Sequence, residues 1–230
     1  MTATVTSVRR ATPSTRIVRV LLDGGAFRYR AGQAAEIGPI SAEILAPYSI
    51  ASAPEDTAVD GCLEFLVRID ARGRWGEQFA PLRRGQQLRV RGPRGGFTFP
   101  DDPSERDFLF IAGGTGIVPL RAMIRHARKT VLGTFRLLYS ARNPLDFAYR
   151  QELCGMARRG EIELTLTATR DVTATWRGER GRISAAQLSA LIDTPATLCF
   201  VCGPAAMVDE VPRMLGALGI ERSRIRIEEW

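Results

Sequence analysis

FLFIAGGTGIVP, residues Phe108–Pro119, carries the strongest structural signal in the chain. Its first part, Phe108–Ala112, has no polar alternation, so it predicts a strand buried on both faces, as in a parallel sheet. Gly113–Gly116 then allow a sharp turn and a close approach of the main chain to a ligand. The amphipathic segment from Ile117 predicts a helix whose free N–H groups and dipole favour an anion. The stretch therefore predicts a phosphate site. Its spacing, Gly114-x-Gly116-x-x-Pro119, is not a full G-x-G-x-x-G, and a tight turn without a ligand is the alternative.

The residues that follow this stretch alternate between strand-like and helix-like patterns up to the last residue. Such alternation is typical of a doubly wound parallel sheet in an α/β domain. Ligands of these sheets bind at the carboxyl ends of the strands, where the strand order reverses. The candidate strands are 108–112, 135–140, 162–168, 198–202 and 224–228, and the candidate helices are 117–129, 145–158, 185–191 and 206–218.

The residues that precede it have another pattern, in which short β-rich runs are separated by turns. Many short strands at close spacing predict an antiparallel barrel, here of six strands. Two prolines and a cluster of charges in 99–107 predict a linker, so we expect two domains, 1–100 and 106–230. The runs are 3–8, 15–22, 33–37, 44–51, 63–69 and 87–91; residues 53–56 are predicted as a turn and only 76–82 as a helix.

Composition and charge narrow the function classes. The 230 residues have 45% hydrophobic and 25% charged content, which is ordinary for a globular protein. There is no run near the ~18 apolar residues of a membrane span and no secretion signal at the start, so we expect a cytoplasmic protein without a membrane partner. The net charge of +7 favours an acidic partner, with a merely solvated surface as the alternative. Without a basic run interleaved with aromatics, or a zinc-ligand spacing, no nucleic-acid partner is expected. The pattern indicates no particular oligomeric state.

Six short motifs, in order, resemble those of the ferredoxin–NADP reductase family in its compact bacterial form without an iron–sulfur domain. The resemblance extends over nearly the whole chain. It implies FAD bound to the barrel, NAD(P)H bound to the parallel sheet, hydride transfer between them, and an external electron acceptor. The motifs are Pro47–Ser52 (PYSIAS), Leu66-Val67-Arg68, Gly92–Phe97 (GPRGGF), Gly113–Pro119, Cys202-Gly203-Pro204-x-x-Met207 and the terminal Glu228-Glu229-Trp230.

The resemblance assigns the flavin site to particular residues. It implies that the Tyr48 ring lies against the flavin and that the Ser49 hydroxyl hydrogen-bonds near its reactive nitrogen. An aromatic face suits a flat ring, and a tyrosine packed in the barrel is the alternative. Trp230 is implied to cover the flavin where the nicotinamide docks, with Glu229 as a candidate to hold the reacting ring or relay a proton. The further implied flavin contacts are Pro47, Ile50, Leu66, Val67, Arg68, Gly73, Arg74, Trp75 and Gly76.

Two positions depart from the family pattern. Ala46 stands where the R-x-Y-S motif has an arginine for a flavin phosphate, and Gly76 stands where the G-x-x-S/T turn has a hydroxyl. A charge-assisted hydrogen bond contributes roughly 1.5–3 kcal/mol, so the missing arginine predicts FAD binding weaker by about tenfold to a hundredfold. Arg68, Arg72 or Arg74 is the candidate replacement cation. FMN, or a non-catalytic subunit without flavin, is the alternative.

The resemblance also assigns the nicotinamide site. Cys202 is implied to lie beside the nicotinamide, with a small buried hydrophobic residue as the alternative. The second strand ends at Arg142 without an acidic residue for a ribose 2′-hydroxyl, whereas arginine binds a 2′-phosphate bidentately. Arg142, together with Arg170 and Arg182, therefore favours NADPH over NADH, which stays the alternative. The other implied contacts are Gly114, Thr115 and Gly116 at the pyrophosphate, with Ile117, Ser140, Gly203, Pro204 and Met207.

Other candidate chemistry finds little support. Cys199 and Cys202 are three apart on a predicted strand, which puts their side chains on opposite faces and disfavours a metal or dithiol site. The sequence and the resemblance together predict a flavoprotein that passes a hydride from NADPH to FAD, with Ser49, Cys202, Glu229 and Trp230 at the reaction centre. The predicted acceptor is an acidic ferredoxin or flavodoxin, or an oxygenase component. A reductase of free flavin or ferric chelates is the alternative.

Overall fold

A computed structural model describes residues 1–25, 27–69, 76–170 and 175–230, apart from the side chain of Glu77. The chain divides into two compact units. The first contains Met1–Phe99 and Arg121–His126, and the second contains Pro100–Leu120 and Ala127–Trp230. Gly73, Arg74 and Trp75 of the predicted flavin site, and the candidate cation Arg72, lie outside the described residues.

The first unit is built on six antiparallel strands. They are β1 (Thr2–Thr12), β2 (Thr15–Leu22), β3 (Ala34–Pro39), β4 (Ala46–Ser49), β5 (Cys62–Arg68) and β6 (Gln87–Arg94). Their order in the sheet is β4-β3-β6-β1-β2-β5, and a bridge between Ile50 and Phe65 joins the end of β4 to β5. This bridge brings the two outer strands together, so the predicted antiparallel barrel is confirmed. Alternate side chains of the strands fill its core, among them Val18, Ile37 and Phe65.

Two short helices accompany these strands, and the first corrects a prediction. Helix α1 spans Pro54–Asp60, where the sequence pattern predicts only a turn, and α2 spans Gly76–Phe79. Pro54 occupies the start of α1 and acidic residues fill its first turn, both of which suit a helix N terminus. Gly61, with φ of 68°, ends the helix in the left-handed conformation. The turn prediction is wrong because proline followed by acidic residues marks a helix start as well as a turn.

The second unit is a parallel sheet with helices. Its strands are β7 (Asp107–Gly113), β8 (Thr134–Ala141), β9 (Glu163–Ala168), β10 (Glu179–Arg180), β11 (Leu198–Gly203) and β12 (Ile225–Glu229). The helices that follow its strands are α3 (Ile117–Thr130), whose residues Arg121–His126 belong to the first unit, α4 (Arg150–Arg158), α5 (Ala185–Ala190) and α6 (Ala205–Ala217). The strand order β10-β9-β8-β7-β11-β12 reverses direction between β7 and β11, which confirms the predicted doubly wound sheet. Among the described helices, none combines the length and the apolar character that crossing a membrane requires.

Helix α4 is shorter than the predicted 145–158. A 3₁₀ turn covers Pro144–Asp146, and α4 begins only at Arg150. Tyr149 separates them with φ of 60°, a left-handed conformation that interrupts a right-handed helix. The buried ring of Phe147 lies in the extended segment between the turn and the helix. The prediction of one continuous helix is therefore wrong at its start.

Candidate functional site

The flavin segment, Pro47–Ile50, begins in β4 and runs out beside β5. The Ile50 N–H donates to the Gln33 carbonyl at 2.9 Å, and the next N–H, that of Ala51, donates to the Glu64 carbonyl at 2.7 Å. These main-chain bonds and the bridge to β5 place the segment alongside Leu66–Arg68. The structure therefore brings together two of the predicted flavin-binding stretches.

The two side chains predicted to touch the flavin differ in their surroundings. Tyr48 is half-buried, and its ring meets Phe79 edge-on with centroids 5.2 Å apart. Ser49 is buried, and its Oγ has no hydrogen-bond partner among the described residues. A buried hydroxyl without a partner costs free energy, so it calls for a partner supplied by a ligand. A half-buried aromatic face beside such a hydroxyl fits a flat heterocycle with ring nitrogens, as FAD has.

The position of the family's missing arginine is part of the barrel core. Ala46 is fully buried and packs in the core of the first unit. Of the three candidate replacement cations only Arg68 is described, and it is exposed at the end of β5. Gly76 opens α2 directly after the undescribed residues. The cation that meets a flavin phosphate therefore stays a prediction.

Gly114–Gly116, here called the glycine turn, joins β7 to α3. Gly114 has φ of 56°, and a Cβ added to it would meet nothing within 4 Å, so the space beside it is open. A Cβ added to Gly116 would instead collide with the Cys202 carbonyl and lie 2.9 Å from the Gly203 nitrogen. The fourteen-residue α3 begins directly after the turn. Main chain thus forms the floor of an open site at a helix N terminus, which fits a cofactor pyrophosphate.

The turn after β11 packs directly on the turn after β7. A Cβ added to Gly113 would lie 2.8 Å from both Met207 Sδ and Pro204 Cδ, and one added to Gly203 would lie 3.1 Å from Gly113 Cα. The two motifs predicted to hold the nicotinamide cofactor therefore meet, and they meet where the strand order reverses. Cys202 is fully buried; burial, with a smaller contribution from the charge of Glu228, raises the pKa of its thiol. Cys202 is therefore a neutral thiol and not a thiolate nucleophile.

Three predicted arginines share the carboxyl edge of the sheet at β8, β9 and β10. The Arg170 N–H donates to the Arg142 carbonyl at 2.7 Å, which holds these two residues side by side. The Gly181 N–H donates to the Ala168 carbonyl at 2.9 Å, so Arg182 follows at the same edge. All three are exposed, and none forms an ion pair with another described residue. We call them the arginine edge. Such a group of unpaired cations suits an anionic ligand group.

The last residues add a contact that sequence reasoning missed. The Trp230 indole N–H donates to Glu228 Oε2 at 2.8 Å, and the Trp230 main-chain N–H donates to the Gly203 carbonyl at 2.9 Å. Burial raises the pKa of Glu228, and the indole hydrogen bond partly opposes that rise. Glu229, the residue singled out from sequence, is exposed. Residues two apart on a strand share a face, so the spacing from Glu228 to Trp230 was a usable signal.

Two family models match successive parts of the chain. A family model described as an oxidoreductase FAD-binding domain matches residues 2–99, and one described as an oxidoreductase NAD-binding domain matches residues 110–213. Ferredoxin–NADP reductase B of Sorangium cellulosum is 35% identical over 222 residues, which cover 90% of this chain and 88% of that protein.

Two solved structures extend the comparison. The ferredoxin reductase in carbazole 1,9a-dioxygenase superposes with a TM-score of 0.85 and 27% identity, covering 100% of this chain and 68% of that one. A ferredoxin NADP+ reductase from Neisseria gonorrhoeae, solved with bound FAD and NADP, superposes with a TM-score of 0.84 over 100% of this chain and 98% of that one. Its identity of 20% makes it similar in fold.

Proposed function

We propose a specific reaction for this chain, which belongs to the ferredoxin–NADP reductase-like family and is thus an NAD(P)H-dependent flavoprotein reductase with FAD-binding and NAD(P)-binding domains. In our proposal, residues 1–100 bind FAD, residues 106–230 bind NADPH in preference to NADH, and electrons leave to an external acceptor. When bound, the nicotinamide supplies a hydride that the flavin accepts, and the protein binds, orients and shields the two groups.

The proposed roles follow the local chemistry of each side chain. Tyr48 offers its ring as a stacking face, and the Ser49 hydroxyl, which has no partner among the described residues, orients the flavin through a hydrogen bond. The glycine turn holds the pyrophosphate with main-chain N–H groups. Cys202 would pack as a neutral thiol beside the nicotinamide, and the Trp230 indole, held by Glu228, would cover the flavin and would have to move aside for the nicotinamide to bind.

The arginine edge carries the proposed preference for NADPH. NADP differs from NAD by one 2′-phosphate, and guanidinium groups bind phosphate with paired, charge-assisted hydrogen bonds. Arg142, Arg170 and Arg182 are exposed and adjacent at the strand ends, and no carboxylate of the described residues forms an ion pair with them. A 2′-phosphate at the carboxyl ends of β8 and β9 would be the anion that they meet.

Steady-state kinetics with the two nicotinamide cofactors test this preference. We expect wild type to show the higher kcat/KM with NADPH. Arg142→Gln and Arg170→Gln should each lower kcat/KM for NADPH about tenfold, because each removes a charged hydrogen-bond partner, and leave that for NADH unchanged. Arg213→Gln is the matched control, since Arg213 is an exposed arginine on α6 and its loss changes the net charge equally. A wild-type preference for NADH, or an equal loss in the control, would refute the proposal.

The proposed acceptor is an acidic redox protein or an oxygenase component. The net charge of +7 favours association with an acidic surface, and the ferredoxin reductase in carbazole 1,9a-dioxygenase is a relative from an oxygenase system. Turnover with an acidic ferredoxin should exceed turnover with free FMN or a ferric chelate, and added salt should slow it. Fast turnover with the small acceptors alone would identify a free-flavin or ferric reductase instead.

A further inference from the structure

The buried Tyr139 hydroxyl joins two loops of the proposed cofactor site. Tyr139 lies on β8, opposite Ala112 of β7, and is fully buried. Its hydroxyl donates to the Gly114 carbonyl at 3.0 Å and accepts the Ala148 N–H at 3.2 Å. One phenol oxygen thus ties the glycine turn, which follows β7, to the segment that follows β8.

The Gly114 carbonyl is held from two sides. The Ile117 N–H, at the start of α3, also bonds to this oxygen, and Tyr139 supplies the second donor. Burial raises the pKa of Tyr139, so its hydroxyl keeps the proton that it donates to Gly114 throughout the physiological pH range. The left-handed conformation of Gly114 is therefore fixed by a permanent donor and not by contacts of a side chain of its own.

Three aromatic rings in contact, here called the column, run from Tyr139 through Phe147 to Trp176. Phe147 meets Tyr139 edge-on at 5.0 Å and stacks on Trp176 at 5.3 Å, with an angle of 8° between the ring planes. The Trp176 indole N–H donates to the Glu179 carbonyl at 2.8 Å, at the start of β10, and the Arg150 guanidinium lies 5.1 Å from its ring centroid. The column thus connects the loops after β7 and β8 to the segment that leads into β10.

These are the loops that carry the glycine turn and the arginine edge. Arg142 precedes Phe147 in the loop after β8, and Arg182 closely follows β10. A ligand with a pyrophosphate and a separate 2′-phosphate has to meet both places at once. The spacing between them is set by the column, because aromatic side chains packed in a core have little freedom to move.

We propose that Tyr139 is a positioning residue for the nicotinamide cofactor. Its hydroxyl fixes the glycine turn relative to the arginine edge, so that the pyrophosphate and the 2′-phosphate are bound together. The inference rests on the proposed function, because it takes the glycine turn and the arginine edge as parts of one cofactor site.

Tyr139→Phe removes the hydroxyl and keeps the ring, and two ligands report the result. We expect the Kd of NADP+, which reaches both places, to rise about tenfold, since the Gly114 carbonyl keeps only the Ile117 N–H and the Ala148 N–H keeps only the Asp146 carbonyl at 3.1 Å. The Kd of adenosine 2′-monophosphate, which offers the arginine edge its 2′-phosphate and lacks the pyrophosphate, should stay as in wild type. The KM for NADPH should rise by a similar factor, with kcat unchanged at saturation.

Tyr29→Phe is the matched control. Tyr29 belongs to the first unit, and the hydroxyl of this half-buried residue likewise donates to a carbonyl, that of Ser52, at 2.9 Å. Its loss should lower Tm about as much as the loss of the Tyr139 hydroxyl, yet leave the Kd of NADP+ unchanged. An equal rise in the control would show that general destabilisation, and not the position of Tyr139, weakens binding.

Hydrogen exchange of wild type covers the case in which Tyr139→Phe does not fold. Saturating NADP+ should slow exchange at the buried Ala148 amide, which is bonded to Tyr139. Unchanged exchange there, or an NADP+ affinity of Tyr139→Phe equal to that of wild type, overturns the inference while the proposed function stands. A wild type that binds NAD+ and not NADP+ refutes the cofactor preference and, because NAD+ has no 2′-phosphate to meet the arginine edge, overturns the inference with it. A wild type that binds neither overturns both.

Discussion

The glycine turn of the second unit presents main-chain atoms to a ligand, whereas the flavin segment of the first unit presents side chains. The turn depends on missing atoms, because a Cβ at Gly116 would collide with the Cys202 carbonyl. The flavin segment depends on atoms that are present, the ring of Tyr48 and the hydroxyl of Ser49. A site made of main chain is damaged by adding atoms, whereas a site made of side chains is damaged by removing them.

The two regions also differ in whether their polar groups are hydrogen-bonded within the protein. The glycine turn leaves room for a ligand and has its Gly114 carbonyl fully bonded by Ile117 and Tyr139. Ser49 instead keeps a buried hydroxyl without a partner among the described residues. Such a group lowers stability until a ligand satisfies it, so the flavin segment gives up stability for function where the glycine turn does not.

Gly116→Ala should have the greatest consequence, because the added carbon collides with main chain that cannot swing aside. We expect kcat/KM for NADPH to fall at least about a hundredfold, through displacement of the turn, with the FAD content of the purified protein unchanged. Stopped-flow reduction of the flavin by NADPH measures the loss.

Gly114→Ala is the matched control for that change. Its Cβ would meet nothing within 4 Å, but its φ of 56° strains an alanine by about 1 kcal/mol, so the loss should be nearer tenfold. Equal effects of the two substitutions would contradict the view that collision at Gly116 dominates.

Ser49→Ala should separate activity from stability. Removing the hydroxyl should slow flavin reduction about tenfold to a hundredfold, because an orienting hydrogen bond is lost at the reacting ring. The stability of the flavin-free protein should stay equal or rise by up to ~1 kcal/mol, since a buried hydroxyl without a partner among the described residues disappears.

Ser52→Ala provides the contrast. The Ser52 Oγ is buried too, but it accepts the Glu64 N–H at 3.2 Å, so its removal should lower the free energy of unfolding by about 1 kcal/mol. Urea titrations of both variants without flavin make the comparison. A loss of stability in Ser49→Ala as large as that in Ser52→Ala would mean that Ser49 has a partner within the protein.

Glu228→Gln should have the smallest effect, which we expect in the pH dependence of the free energy of unfolding. Burial raises the pKa of Glu228 above its usual 4.5, so the folded state holds this proton more tightly than the unfolded state. Stability from this group is thus present at low pH and falls as pH rises through 4.5 to the raised value. We expect the urea midpoint of wild type to fall as pH rises across this range. The part of this fall that Glu228 causes should be absent in Glu228→Gln and present in Glu229→Gln, which changes the exposed neighbour. Equal slopes in wild type and Glu228→Gln would show that Glu228 does not titrate in this way.

The sequence predicts most of the fold because periodicity reflects burial directly. The uninterrupted apolar residues of Phe108–Ala112 form a strand buried on both faces, and the sheet reverses its order beside it. The alternation in the first hundred residues likewise corresponds to a barrel with one face of each strand in the core. The glycine turn was placed correctly because few residues other than glycine tolerate the left-handed conformation found at Gly114.

The features that the sequence did not reveal depend on packing or on ambiguous signals. No pattern predicts that Tyr149 adopts φ of 60°, because the packing around it, not its own preference, imposes that conformation. The role of Tyr139 depends on which carbonyl its hydroxyl reaches, which only the paired strands determine. Helix α1 could have been found from Pro54, its acidic first turn and Gly61, and Glu228 from its spacing to Trp230.

The two outermost strands of the parallel sheet discourage self-association. On one side, β10 has only two residues, Glu179 and Arg180, both charged and exposed. On the other, β12 carries exposed Arg226 and Glu229 among its five residues. A strand from a second molecule would have to align its main chain with charged side chains at either border, so short and charged borders guard this sheet against aggregation.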